Sequence, residues 1–178
     1  MSIGAVALTP AELAKVRDQA EREYPAECCG MVLVHGETGD RLLVPCRNVQ
    51  DALHAKDPVL YPRTSRTAYS VDQAQLLAIL RREQEGYHIA TIYHSHIDAG
   101  AYFSETDKEQ ALWDDQPRYP DVVYVVVSVE GGRMVDAAAF VWDPAGREFA
   151  RRAVDATTRE AAATSREADR ATREADRV

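Results

Sequence analysis

Two histidines stand two residues apart at the end of an apolar run, in Tyr93-His94-Ser95-His96, and Ser104 and Asp107 follow. Side chains alternate across a β-strand, so both imidazoles leave the same face. A Zn²⁺ ion accepts imidazole nitrogen at about 2.0–2.1 Å in a tetrahedral set. Asp107 lies one turn into a helix predicted over residues 104–113, and a short loop can fold it back to the strand end. Two histidines and one carboxylate leave the fourth position open, the pattern of a catalytic rather than a structural zinc. Ser104-x-x-Asp107 is also a capping-box pattern, which structure alone explains, and a capping serine can still serve in a reaction. The residues by themselves leave the general base open among Glu27, Asp98 and Glu105.

The elements that must position these groups are legible in outline. Thr9, Pro10 and Glu12 read as an N-cap, an N1 proline and a capping-box acid, opening a helix over 9–23 that stops at Pro25. Residues 29–35 and 41–47 read as a hairpin, with Pro45 marking an edge position or a strand end. Residues 48–66 read as a loop of a length usually reserved for function. A short strand is predicted over 67–70 and a helix over 71–85, capped by Ser70 and ended at Gly86. Residues 88–94 read as a strand. Residues 121–129 are nearly all apolar and predict a central strand covered on both faces. Strands over 133–142 and 147–152 complete a meander, giving a three-layer α/β domain over 1–153.

Residues 154–178 form a second region. Ser or Thr, Arg, Glu and Ala recur with a period of seven, placing Val154, Ala161, Ala168 and Ala175 at a positions. This charged tail is predicted as a helix. It is either solvated through pairs such as Asp169 with Arg173 or a docking helix for a homo-oligomer.

Composition narrows the function classes. At 178 residues the chain suits one domain of about 150 plus the tail and falls short of the roughly 250 of a (β/α)₈ barrel. A net charge of −8, with scattered Lys and Arg, argues against a nucleic-acid partner. No run approaches the roughly 18 apolar residues of a membrane helix. The N-terminal residues lack the pattern of a secretory signal, and Cys28, Cys29 and Cys46 are odd in number, so a cytoplasmic protein with free thiols is expected.

The segment His94-Ser95-His96, Ser104, Asp107, with a distant Glu27 in Pro25-Ala26-Glu27-Cys28-Cys29-Gly30, resembles the JAMM motif of MPN-domain metalloproteases, in their bacterial branch. The likeness runs from about residue 8 to 150. It implies a three-layer α/β/α, cytidine-deaminase-like MPN fold with a mixed sheet. It also implies one Zn²⁺ held by His94, His96 and Asp107, with Glu27 as general base and then acid, and Ser104 as oxyanion donor. The implied substrate is the amide bond after the C-terminal Gly-Gly of a ubiquitin-like or sulfur-carrier protein. Its extended tail would add to the enzyme as a β-strand, with residues 48–66 as a wall of the groove. Ile97 and Phe103 stand where many members carry proline. The alternative within the family is a non-catalytic scaffold, whose members typically lack the ligands kept here. His-Glu-x-x-His and the deaminase Cys-x-x-Cys are both absent, which removes two other zinc hydrolase classes. Cys28 and Cys29 are expected as buried structural thiols.

Overall fold

The computed structural model of the protein describes residues 6–154, and its first element follows from its cap. Thr9 Oγ1 accepts from the Glu12 amide at 3.2 Å, and the Glu12 carboxylate accepts from the Thr9 amide at 2.8 Å, opening α1 (Pro10–Glu23). Arg41 then clamps the same carboxylate with Nε and Nη2, both at 2.9 Å. Burial opposes ionisation of Glu12, but the hydrogen bond from Arg41 and those from Thr9 outweigh it and hold its pKa below the ordinary value. A depressed carboxyl pKa adds stability that is present above the unfolded-state value and is lost as pH falls through the folded one. Glu12→Gln is therefore expected to lower the melting temperature at pH 7 and to flatten the acid limb of a stability–pH curve. An acid limb identical to the parent's would contradict this.

The chain continues through β1 (Cys29–His35), β2 (Arg41–Cys46), α2 (Gln50–Lys56) and α3 (Gln73–Arg81), the last extended by a 3₁₀ turn at Arg82–Glu85. Next come β3 (Tyr87–Ile97), α4 (Glu105–Ala111), β4 (Leu112–Trp113), β5 (Gln116–Pro117), β6 (Val123–Glu130), β7 (Arg133–Asp143) and β8 (Glu148–Arg152). Six strands form one mixed sheet in the order β2-β1-β3-β6-β7-β8. Only β3 and β6 pair in parallel. Pro45 lies on the edge strand β2, where its missing amide costs no ladder bond.

β6 shows why the sheet needs two covers. Val123, Val125, Val127 and Val129 enter a core shared with Val16 and Ala20 of α1. Tyr124 and Val126 enter the opposite core with Ile79 of α3, Phe103 and Phe140. Period-two alternation with both faces apolar yields the three-layer α/β arrangement expected from the sequence.

Several local readings are corrected. The long loop contains α2, and no strand forms over 67–70; instead Asn48 and Val71 make an isolated bridge. α3 begins two residues later than expected. Asp72, not Ser70, caps it by accepting from the Gln75 amide, while the Ser70 hydroxyl donates to Gln50 Oε1. β3 runs on to Ile97, so both histidines sit inside the strand. The helix after Ser104 stops at Ala111, where the small β4–β5 hairpin begins. The heptad reading of the tail lies outside the described residues beyond Val154, which is buried in the α1 core.

Candidate metal centre and active site

β3 presents His94 and His96 on the face covered by α3 and α4. Tyr93, one residue before them and so on the other face, points into the α1 core. The imidazole Nε2 atoms of His94 and His96 lie 3.2 Å apart. Asp107 closes a triangle, Oδ1 at 3.2 Å from His94 Nε2 and Oδ2 at 3.4 Å from His96 Nε2. His94 is 1 % exposed and His96 7 %.

Asp107 is aimed by the cap that starts α4. Ser104 N and Oγ both donate to Asp107 Oδ2, at 2.8 and 2.6 Å, and the Asp107 amide returns a bond to Ser104 Oγ at 3.2 Å. The loop from β3 to Ser104 is fixed at two points. Gly100 O accepts from His96 Nδ1 at 3.1 Å. Phe103 is buried against Phe140, Phe149 and Tyr124, with ring centroids 4.9–5.2 Å away. That apolar nest is what the aromatic residue fills where many relatives of the motif carry proline. Ile97, the other departure, is buried in the α1 core.

The donor set fits a zinc ion. Two ligand atoms at about 2.0–2.1 Å from a tetrahedral metal stand about 3.3–3.4 Å from each other, and the three separations here are 3.2, 3.2 and 3.4 Å. Burial opposes the charge on Asp107, but hydrogen bonds from His94 and His96 hold its carboxyl far below the usual carboxylate range. Burial would lower the His96 pKa, and Asp107 reverses this and raises it.

Glu27 arrives from the neighbouring strand. Cys29 pairs with His94 in the antiparallel β1–β3 ladder, and Ser95 N donates to Cys28 O at 3.0 Å. Carrying that register two residues on sets Glu27 opposite His96, on the histidine face. Its side chain is buried and within electrostatic reach of His96 and Asp107. Burial pushes its carboxyl up to about 8; the Asp107 charge adds to this, while His96 and Arg63 oppose it. The other two carboxylates are engaged elsewhere. Asp98 accepts from Tyr24 Oη, Arg66 and the Gly131 amide. Glu105 is exposed and 2.6 Å from Lys108 Nζ. Cys28 and Cys29 are buried thiols on opposite faces of the sheet, outside the metal-donor group.

A cleft of about 500 Å³ opens beside Glu27, lined among others by Pro45, Arg47, Asn48, Asp51 and Ser65. Residues of the predicted loop thus form one of its walls. Gln75 occupies the outer edge of β2 here, donating to Pro45 O at 3.0 Å and accepting from Arg47 N at 2.8 Å. A chain lying in the cleft therefore finds the backbone at 45 and 47 already paired, against the simple strand-addition picture. Two further residues of this region carry no motif signal. The Asn48 amide ties Glu27 to the segment around Tyr69, and the Tyr69 ring stacks on His94. Their contacts are tertiary: the length of the loop hinted at Asn48, and nothing in the chain pointed to Tyr69.

Fold and comparisons define the class as a JAMM-type hydrolase. The chain belongs to the family described as prokaryotic homologs of the JAB domain, which it matches over residues 9–142. It is 30 % identical over 120 residues to a desampylase of Haloferax volcanii, covering 67 % of this chain and 74 % of that protein. It is 34 % identical over 110 residues to the CysO-cysteine peptidase of Mycobacterium tuberculosis, covering 61 % of this chain and 63 % of that protein. Two solution structures share the fold. A protein of Desulfitobacterium hafniense superposes with a TM-score of 0.54 at 21 % identity, covering 81 % of this chain and 87 % of that one. One from Salinibacter ruber gives 0.52 at 25 %, covering 82 % and 87 %. Among the described residues, no helix is long and apolar enough to cross a membrane.

Proposed function

We propose that the protein is a zinc-dependent peptidase or isopeptidase that hydrolyses the amide bond after the C-terminal Gly-Gly of a small ubiquitin-like or sulfur-carrier protein in the cytoplasm. The observation that carries this reading is the triangle of His94 Nε2, His96 Nε2 and the Asp107 carboxylate, whose edges suit a tetrahedral ion. The relatives named desampylase and CysO-cysteine peptidase support the substrate class.

His94, His96 and Asp107 would hold the zinc. A zinc ion supplies Lewis acidity there: it polarises a carbonyl oxygen and acidifies a water. Glu27 takes the proton of the attacking water and passes it to the leaving amine. A buried carboxyl on the histidine face is placed for both halves of that transfer. Ser104 Oγ would serve the developing oxyanion by turning its single proton away from Asp107 Oδ2, to which it donates here. Two backbone glycines let the tail approach the centre without a Cβ.

Ser104→Ala separates two effects. Loss of the cap is expected to cost about 1 kcal/mol of stability. Loss of the oxyanion donor is expected to lower the hydrolysis rate about 10²–10³-fold. Thermal melts and initial rates on the same preparation check both; a rate within threefold of the parent would remove Ser104 from the reaction.

The direct test is incubation of the zinc-loaded protein with a carrier protein extended by one amino acid beyond Gly-Gly, followed by mass spectrometry. Loss of the added residue is expected. An intact carrier in the presence of one bound zinc per chain would leave the scaffold reading in its place.

A further inference from the structure

Metal-binding histidines are generally steered through their second ring nitrogen. His96 follows that rule through its Nδ1 contact to Gly100 O. His94 does not: its Nδ1 is buried and has no hydrogen-bond partner among the described residues. What lies against its ring is Tyr69, stacked with centroids 4.8 Å apart and planes 25° from parallel. Tyr69 is half-buried and packs on the core that includes Ile79, Ile92 and Phe103.

The backbone on both sides of Tyr69 is held by one side chain. Asn48 Nδ2 donates to Ala68 O at 3.1 Å, and Asn48 Oδ1 accepts from Ser70 N at 3.1 Å. The same Nδ2 donates to Glu27 O at 2.9 Å, and Oδ1 also accepts from Gln50 N at 3.0 Å. An amide offers two donor hydrogens and two acceptor lone pairs, and all four are used. The backbone of Glu27 is thus joined through one amide to the residue that lies on His94.

We infer that Asn48 and Tyr69 are positioning residues of this site: the Asn48 amide fixes Glu27 relative to Tyr69, and the Tyr69 ring replaces the missing hydrogen bond in orienting His94. Neither needs to touch substrate. The aromatic face sets the tilt of the imidazole, since stacking constrains ring orientation where a lone apolar side chain would only fill space. The Asn48 amide sets the separation between base and ligand, since its four bonds tie two chain segments 20 residues or more apart to one rigid group.

The inference rests on the zinc reading of the site, and its test uses metal binding so that the two can fail separately. Zinc affinity is measured by chelator competition, and the ligand geometry by the visible spectrum of the cobalt-substituted protein. Tyr69→Leu keeps an apolar side chain and removes the ring. It is expected to weaken zinc binding about 10–100-fold, the usual effect of removing an outer-shell partner of a ligand, and to change the cobalt bands. Tyr69→Phe keeps the face and is expected to restore both. Asn48→Ala is expected to lower kcat by a similar factor with little change in KM. Folding is checked by circular dichroism. Should Tyr69→Leu not fold, proton spectra of the unaltered protein decide, because a stacked tyrosine shifts the His94 ring protons upfield of those of an unstacked imidazole; His96, whose ring meets Tyr102 at 4.9 Å, is not the reference. Parent-like zinc affinity and cobalt spectrum in folded Tyr69→Leu, or no upfield shift at His94, would overturn the inference. Tight zinc binding without carrier cleavage would instead count against the proposed reaction and leave the positioning intact.

Discussion

Glu27→Gln is expected to abolish nearly all hydrolysis while leaving the zinc in place. The substitution preserves the shape of the side chain and removes its capacity to take a proton from water. Positioned general acid–base groups contribute about 10²–10⁴ in rate, and a fall of that size in kcat is the expected result. Zinc content by atomic spectroscopy should stay at that of the parent, since His94, His96 and Asp107 are untouched. The same variant has a second signature. In the metal-free protein, burial raises the Glu27 carboxyl to about 8. A carboxyl whose folded-state pKa is raised favours the fold when protonated, and this contribution fades as pH climbs from the unfolded value near 4.5 to the folded one. Metal-free Glu27→Gln should therefore melt higher than the metal-free parent at pH 8, with the difference shrinking towards pH 4.5. A variant that keeps a tenth or more of the parental rate would show that another group moves the proton.

The second large effect is structural and comes from the residue two places after Cys28. Gly30 faces the buried Tyr93. A Cβ at this position would overlap the tyrosine hydroxyl and Cζ and stand 2.7 Å from Cε1. Tyr93 has nowhere to go, because its hydroxyl donates to Gln19 Oε1 at 2.7 Å, and Gln19 in turn donates to Cys29 O at 3.1 Å. Gly30→Ala must push the ring aside and leave buried polar groups unpaired. Overpacking costs about 1–3 kcal/mol and an orphaned buried partner about 1–3 more. For a chain of this size, at about 2–4 °C per kcal/mol, the sum lowers Tm by roughly 4–24 °C. Adding Tyr93→Phe should recover only part of the loss, since Cζ overlaps as well as the hydroxyl. A melting temperature within 2 °C of the parent would mean that β1 and β3 can slide apart at no cost. That would also unsettle the register that brings Glu27 to His96.

Both predictions depend on β1 meeting β3, which marks where sequence reading stopped being sufficient. The triangle of His94, His96 and Asp107 was legible because its parts are local. Two residues two apart on a strand share a face, and a serine three residues before an aspartate starts a helix; both patterns are short-range. α1 was legible for the same reason, from Thr9, Pro10 and Glu12. β6 was legible because an unbroken apolar run has no exposed face to present. α2 was not: Val49 makes no side-chain cap, and seven residues give too weak a period to stand out. Ser70 was misread as a cap because its hydroxyl found a partner in Gln50 across the loop, leaving Asp72 to do the work locally.

The chain by itself thus pointed to the proposed chemistry and to three neighbouring donor residues, and it determined the sheet's central strand and the family resemblance. Tertiary structure decided the rest: that Glu27, rather than Asp98 or Glu105, stands at the histidine face, that Gln75 takes up the edge of β2, and that Asn48 and Tyr69 brace the site. The division has a physical reason. Periodicity and capping record interactions within a few residues, whereas the antiparallel register of β1 on β3 and the four bonds of one buried amide join segments that only folding brings together.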